Sequence, residues 1–406
     1  MSNKLFVLFF LGLLTIINGQ KEAVVDPSKT FQTIRGFGGI NHPDWIADLT
    51  SDQTKKAFNN GADELGFSIL RIWVSDDSNA WQKSVATAKL AQSLGATIFA
   101  SPWNPPQSMT ENFSSGGRSG KRLRHDKYAD YADHLNKFVK FMKSNGVKLR
   151  AISIQNEPDY AHDWTWWTEA ECANFAANYA NKISNVKVMS CETFQYNKNY
   201  YKVALNNANA NKNIGIWGTH FYGTLRSQMD FPSLENDYRD LWMTEVYVPN
   251  SSSDADTWPE AIDVAVNIHN ALVVGSMNAY VWWYIRRSYG PMKENGSISK
   301  RGYMMAQFAK YVRPGAVRVE CTEQPSNGVY VSAYKNTDGK IAVVAINSGN
   351  DSYAQFFSFN GLTIKRVDRY RTSQYENLAV TEKMSLTGNG FFAQLNSKTV
   401  STFIVS

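Results

Sequence analysis

The feature that most constrains this chain is an alternation of two hydrophobic periods. Between about residues 34 and 310, eight apolar, strand-like runs alternate with stretches whose apolar residues recur at helical spacing. The runs are TIRGFGGI, SILRIWV, TIFASPW, LRAISIQNEP, VKVMSCET, NIGIWGTHFY, DLWMTEVY and NAYVWWYIRR. One connector, YADYADHLNKFVKFMKSNG, has a helical apolar stripe and a terminating Gly146. Eight strand–helix units in roughly 275 residues match an α/β fold, the (β/α)8 TIM barrel. From about residue 316 the texture changes. VRVEC, GVYVSAY, KIAVVAIN, YAQFFSF, IKRVDRY, FFAQL and TVSTFIVS alternate with period two between Gly, Asn, Asp and Ser turns. They predict a C-terminal antiparallel β-sandwich side domain, which the strand-like KEAVVDPSKTFQ is expected to join from the N-terminus. The expected organisation is a signal peptide over 1–19, a strand segment over 20–33, the barrel over 34–312 and the side domain over 313–406.

The N-terminus MSNKLFVLFFLGLLTIINGQ carries one lysine, an apolar run from Leu5 to Ile17, then polar residues. That run is too short for a membrane span and suits a secretory signal cleaved near Gly19. No later segment approaches 18 apolar residues, so an exported, extracellular, monomeric protein without a membrane partner is expected. Three cysteines are too few for a disulfide scaffold. Cys172 and Cys191 are close enough for a bridge or equally suit buried thiols; Cys321 is expected to be buried and inert. Four sequons, at Asn112, Asn250, Asn295 and Asn350, are glycan acceptors only in a eukaryotic host. The net charge of +6 is mild. Its densest patch, GRSGKRLRHDK at 117–127, reads as a solvated loop, and no motif supports a nucleic-acid partner.

In such a barrel, chemistry collects at the C-terminal ends of the strands. The fourth run ends Gln155-Asn156-Glu157-Pro158 and the seventh ends Thr244-Glu245-Val246-Tyr247, so two glutamates are expected to face each other across the mouth. A lone glutamate there caps a helix or pairs with arginine. Two carboxyls flanking a cleft are what glycoside hydrolysis requires, one protonating the departing oxygen and the other attacking or supporting the sugar carbon. Asn156 can donate to the neighbouring hydroxyl. Arg71, ending the second strand, can hold Glu245 as a carboxylate. His220 and Tyr222 alternate on the sixth strand and share a face; Tyr222 can bond the nucleophile, while His220 equally suits the core. Trp103 suits an aromatic floor or barrel packing. The six histidines make no ligand pair and no phosphate loop opens a helix, so neither metal nor organic cofactor is expected.

Asn-Glu-Pro on strand four with Glu on strand seven resembles the large clan of retaining TIM-barrel glycosidases. GFGGINHPDW, SPWNPPQSM, QNEPDYAHDWTWW, MTEVYVPNS and VWWYIRRSYGPMKENGSISKRGYMMAQFAKYVRPG resemble glycoside hydrolase family 30, subfamily 8, the glucuronoxylan-specific endo-β-1,4-xylanases. The likeness covers nearly the whole chain after the signal. It implies Glu157 as acid/base, Glu245 as nucleophile and glucuronoxylan as the polysaccharide partner. The family's glucuronate-reading pattern falls on Trp283, Arg287 and Tyr289. Tyr247 and Ser251 are the further readers it implies, with Asn250 competing for the place of Ser251. Strand alternation puts Trp283, Ile285 and Arg287 on one side and leaves Arg286 as a structural ion-pair partner. By chemistry alone Arg287 is as readily structural as uronate-binding. A same-family glycosidase of other specificity, such as a β-1,6-glucanase, would share both glutamates without needing Arg287 or Tyr289. A non-catalytic wall-binding protein would not need the glutamate pair.

Overall fold

The computed structural model describes residues 22–249, 254–381 and 384–406. The proposed signal segment, Ser251 and Asn250 lie outside the described residues.

Eight parallel strands close into a barrel: β1 Gly36–Asn41, β2 Ile69–Val74, β3 Thr97–Pro102, β4 Leu149–Ser153, β5 Lys187–Met189, β6 Ile216–His220, β7 Asp240–Glu245 and β8 Ala279–Tyr284. β8 pairs with β1 to complete the ring. Glycine is required at the seam, since a Cβ on Gly38 would lie 1.7 Å from the Ile69 carbonyl oxygen. Ile69, Phe99, Ala151, Met189, Ile216, Trp242, Ala279 and Val281 fill the barrel with a separate apolar cluster. The interior is therefore packed, and solvent chemistry is left to the mouth. Around it pack the helices, some along one apolar stripe and Lys300–Ala309 buried on nearly every side. In Tyr128–Ser144 the stripe is Tyr131, Leu135, Phe138 and Met142. Helix Glu169–Asn178 opens with a capping box, in which Thr168 accepts from the Glu171 amide and Glu171 accepts from the Thr168 amide.

The side domain is a ten-stranded sheet that curls on itself. The strand Ala23–Thr33 lies inside it, antiparallel to Val317–Cys321 and parallel to Tyr353–Phe359. Phe391 packs 5.1 Å from both Phe357 and Phe403, joining strands far apart in sheet order and so forming the two-layered core. Contacts to the barrel are apolar as well as polar, with Ala342, Val344, Ile346 and Val400 sharing the core of the barrel's helices. Thr402 donates to the Gln307 carbonyl at 2.7 Å, and Tyr311 stacks on Tyr370 at 4.4 Å.

Five local features depart from sequence expectation or resolve it. The basic segment is no open loop: Thr110–Ser115 and Arg118–Leu123 form a hairpin, with Gly116 and Gly117 at positive φ in the turn. Cys172 and Cys191 are disulfide-bonded. Cys321 is only partly buried by its residue surface, yet its thiol donates to the Val331 carbonyl and burial pushes it up to about 12. The last barrel strand stops at Tyr284, so alternation cannot be carried to residue 287. Ile285 is fully buried in the main core while Trp283 packs at the mouth. Arg286 is structural, but through carbonyls rather than an ion pair. It donates to the carbonyls of Ala47 and Asp48 and to Gln53 Oε1, tying the loop after β1 to the loop after β8.

Candidate active site

Beyond β4 the chain turns sharply at Glu157, which holds a left-handed φ of 40°. A non-glycine residue accepts such strain only where its surroundings dictate it. Here the Glu157 amide donates to the Glu192 carbonyl at 2.8 Å, and the Glu157 carbonyl accepts from Trp164 Nε1 at 3.2 Å. Glu245 is the last residue of β7. Glu157, Glu245 and His220 each present a side-chain oxygen or nitrogen within 4.8 Å of the other two. The two carboxyls, each 4% exposed, thus face one another across a narrow gap at the barrel mouth.

Arg71, fully buried on β2, organises the group. Its Nη1 donates to Glu245 Oε2, Nη2 donates to Asn156 Oδ1 at 2.7 Å and Glu192 Oε2 at 3.2 Å, and Nε donates to Ser101 Oγ at 3.0 Å. Its guanidinium lies 4.8 Å from the Trp103 ring centroid. Tyr222 donates to the other oxygen of Glu245 at 2.8 Å. His220 Nδ1 is 2.8 Å from Glu157 Oε1, and its Nε2 lies 3.5 Å from Glu192 and 3.8 Å from Glu245.

Burial and these charges divide the acids. Burial raises the Glu157 carboxyl to about 7, with the Glu245 charge adding to it and the His220 bond opposing it. Burial would lower His220, but Glu245, Glu157 and Glu192 overcome it and lift the imidazole to about 9. Both ring nitrogens therefore carry protons near neutrality, and Nδ1 donates to Glu157. Burial would also raise Glu192, yet Arg71 and His220 hold it down to about 2. Glu192 was not singled out from the sequence. Its signal was an acid at the end of the fifth run, the same kind that marked the other two. The ensemble holds two cations, two carboxylates and one carboxyl able to carry a proton near pH 7. The Glu157–His220–Glu245 donors would also suit a cation in spacing, but the charges of Arg71 and imidazolium oppose one there.

Substituting Arg71 by methionine strands Glu192 and Glu245 in the barrel. The expected cost is about 3–5 kcal/mol, read as a lower urea midpoint with unchanged slope. Because the proton on Glu157 is lost as pH rises through about 7, kcat/KM is expected to fall through that range. His220→Asn removes the cation that favours ionised Glu157, so the alkaline limb should move upward; an unmoved limb in a pH–rate profile would contradict this coupling.

Among the described residues, the other sequence-derived side chains gather around the same mouth. Tyr247 lies 5.5 Å from Tyr222 and 5.0 Å from Tyr289 by ring centroids. Trp283 and Tyr289 pack against a cluster containing Trp103 and Tyr284. Arg287, with its side chain 44% exposed, is 4.0 Å from Glu294 and 5.9 Å from the Tyr284 ring. Trp103 is only 3% exposed, enclosed by His42, Trp45 and Trp283, so in the open cleft it backs Arg71. The accessible tryptophan of that cluster is Trp45, 49% exposed and absent from the residues expected.

A barrel with one protonatable acid and one carboxylate facing each other at its mouth is the arrangement of a glycoside hydrolase. Residues 315–403 match the family model described as the glycosyl hydrolase family 30 beta sandwich domain. The chain is 52% identical over 396 residues to the glucuronoxylanase XynC of Bacillus subtilis strain 168, covering 97% of this chain and 93% of that protein. Among solved structures it resembles the family 30 endoxylanase of Clostridium papyrosolvens C71, with TM-score 0.88, 41% identity, and 95% and 100% of the two chains covered. It also resembles Xyn30A, the family 30 subfamily 8 xylanase of Clostridium acetobutylicum, with TM-score 0.86, 32% identity, and 95% and 99% covered. The chain belongs to glycoside hydrolase family 30, subfamily 8.

Proposed function

We propose that this protein is a secreted, retaining endo-β-1,4-xylanase that cuts glucuronoxylan at positions set by its (4-O-methyl)glucuronic acid branches. The observation that carries the mechanism is the separation of Glu157 and Glu245. Their oxygens lie within 4.8 Å, near the roughly 5–5.5 Å of double displacement and short of the gap that inversion needs for a water. Glu157 gives its proton to the glycosidic oxygen while a Glu245 oxygen attacks the sugar carbon; the carbon–oxygen bond breaks and a glycosyl ester forms. Glu157, now a carboxylate, takes a proton from water as that water's oxygen displaces Glu245 and frees the sugar with its original configuration. Arg71 and Tyr222 aim Glu245. Since Asn156 Oδ1 accepts from Arg71, its amide nitrogen is left to donate to the hydroxyl beside the reacting carbon.

For the branch, Arg287 is the reader. A half-exposed guanidinium beside Tyr289 and Tyr247 meets a sugar carboxylate through paired hydrogen bonds, which lysine cannot reproduce. Trp283 completes that side, Ser251 is the hydroxyl reader that the family pattern implies, and Trp103 serves from behind by backing Arg71. The similarity to a glucuronoxylanase over almost its entire length favours this reading over a glycosidase of other specificity. Endo-1,6-β-glucanases match at only 25% identity or below. A non-catalytic binding role is answered by a reducing-sugar assay. The deciding experiment is mass spectrometry of glucuronoxylan digests. One acid branch per product at a constant position is expected; neutral products or randomly placed branches would overturn the reading. The protein acts as a monomer, with neither membrane nor nucleic acid as partner.

A further inference from the structure

Five aromatic rings run across the mouth in contact: Tyr289, Tyr247, Tyr222, Phe194 and Tyr160, with successive centroids 5.0, 5.5, 5.1 and 4.0 Å apart. Tyr222, which bonds Glu245, is the middle ring. One arm leads to Arg287. The other passes Glu157 and ends in a pocket of about 650 Å³ lined by Arg118, Asp159, Tyr160, Phe194, Gln195 and Lys198. The proposed uronate reader uses only the first arm.

Tyr160 and Phe194 stack nearly parallel, 9° apart, and Tyr160 is 42% exposed. A ring braced from behind and open in front suits the apolar face of a pyranose. Of the pocket's charged groups, Lys198 is committed to the carbonyls of Gln228 and Asp230, and Asp159 accepts from the Phe194 amide. Arg118 lies 5.3 Å from the Trp166 ring and has no ion pair among the described residues. The pocket therefore holds a sugar platform and a guanidinium that bonds the Tyr200 hydroxyl but has no carboxylate partner among the described residues. Its place beside the proton donor puts it on the leaving-group side of the bond to be cut.

We infer that this pocket is a leaving-group subsite in which a xylose downstream of the cut stacks on Tyr160 and a carboxylate branch on that sugar pairs with Arg118. The cleft would then read acid groups on both sides of the reacting bond. The inference rests on the glucuronoxylanase reading and adds the second acid site to it.

The test uses defined oligosaccharides carrying one glucuronate upstream and zero, one or two further xyloses, plain or glucuronate-bearing, downstream. With wild type, kcat/KM is expected to rise as downstream sugars are added. In Tyr160→Ala the ratio of long to short substrates should fall about tenfold. In Arg118→Gln the preference for downstream-branched over plain substrates should disappear, with the plain length series retained. Loss of the same factor on every substrate by either variant, or a wild type indifferent to downstream length and branch, would overturn the subsite. No hydrolysis of any uronylated substrate by wild type would instead sink the underlying reading, so the two failures are distinguishable.

Discussion

Glutamine in place of Glu245 is expected to lower kcat on glucuronoxylan by about 10⁴–10⁶-fold, the scale seen when a covalent nucleophile is removed. The change is nearly isosteric: the amide oxygen still accepts from Arg71 and the amide nitrogen can donate to the Tyr222 hydroxyl, so the protein should fold. Glu157→Ala is the matched experiment. General acid catalysis contributes about 10²–10⁴-fold, so xylan cleavage should collapse by that amount. An aryl glycoside whose phenolate departs without a proton should still form the glycosyl ester, and added azide should then restore turnover. If Glu157→Ala lost equal activity on both substrate types, its assignment as proton donor would fail. Loss of the acid should also abolish the alkaline limb near pH 7, because that limb belongs to the Glu157 carboxyl.

The second large effect concerns Arg287. Replacing it with alanine removes a paired, charge-assisted contact made only to the acid branch. Such contacts are worth about 1.5–3 kcal/mol, so kcat/KM on glucuronoxylan should fall on the order of 10–100-fold. Undecorated xylan should be affected little. Lysine at the same place should recover only part of the loss, since a point charge keeps the attraction but not the planar fork. Equal losses on branched and unbranched substrate would mean that Arg287 supports the loop through Glu294 and the Tyr284 ring instead.

The barrel was legible because each of its eight strands is an apolar run long enough to register and is followed by an interrupting helix. The candidate acids were legible for a related reason: polar residues ending buried runs cannot be there for packing. The sequence pattern is silent where backbone geometry departs from a regular repeat. Past Tyr284 the strand has ended, so counting alternate residues toward Arg287 had no structural basis even though the loop delivers it to the mouth. The hairpin over Thr110–Leu123 escaped notice because its exposed strands are polar on both faces and lack hydrophobic alternation. Its Gly116-Gly117 turn was the available signal. Glu192 ends the fifth run as the other two acids end theirs, but a run pattern does not distinguish an acid that bonds Arg71 and His220 from below from one that faces the cleft. A disulfide between Cys172 and Cys191 depends on how a helix lies against the end of the next strand, which spacing does not encode. The aromatic file across the mouth is likewise assembled from the loops after five different strands, visible only in three dimensions.

The most direct test of the central claim is the configuration of the sugar at the moment of release. Proton NMR during the first minutes of hydrolysis should show the β-anomer of the new reducing end appearing first, with the α-anomer growing only as mutarotation proceeds. An initial α-anomer would mean single displacement by water, and Glu245 would not be the nucleophile proposed from its place within 4.8 Å of Glu157.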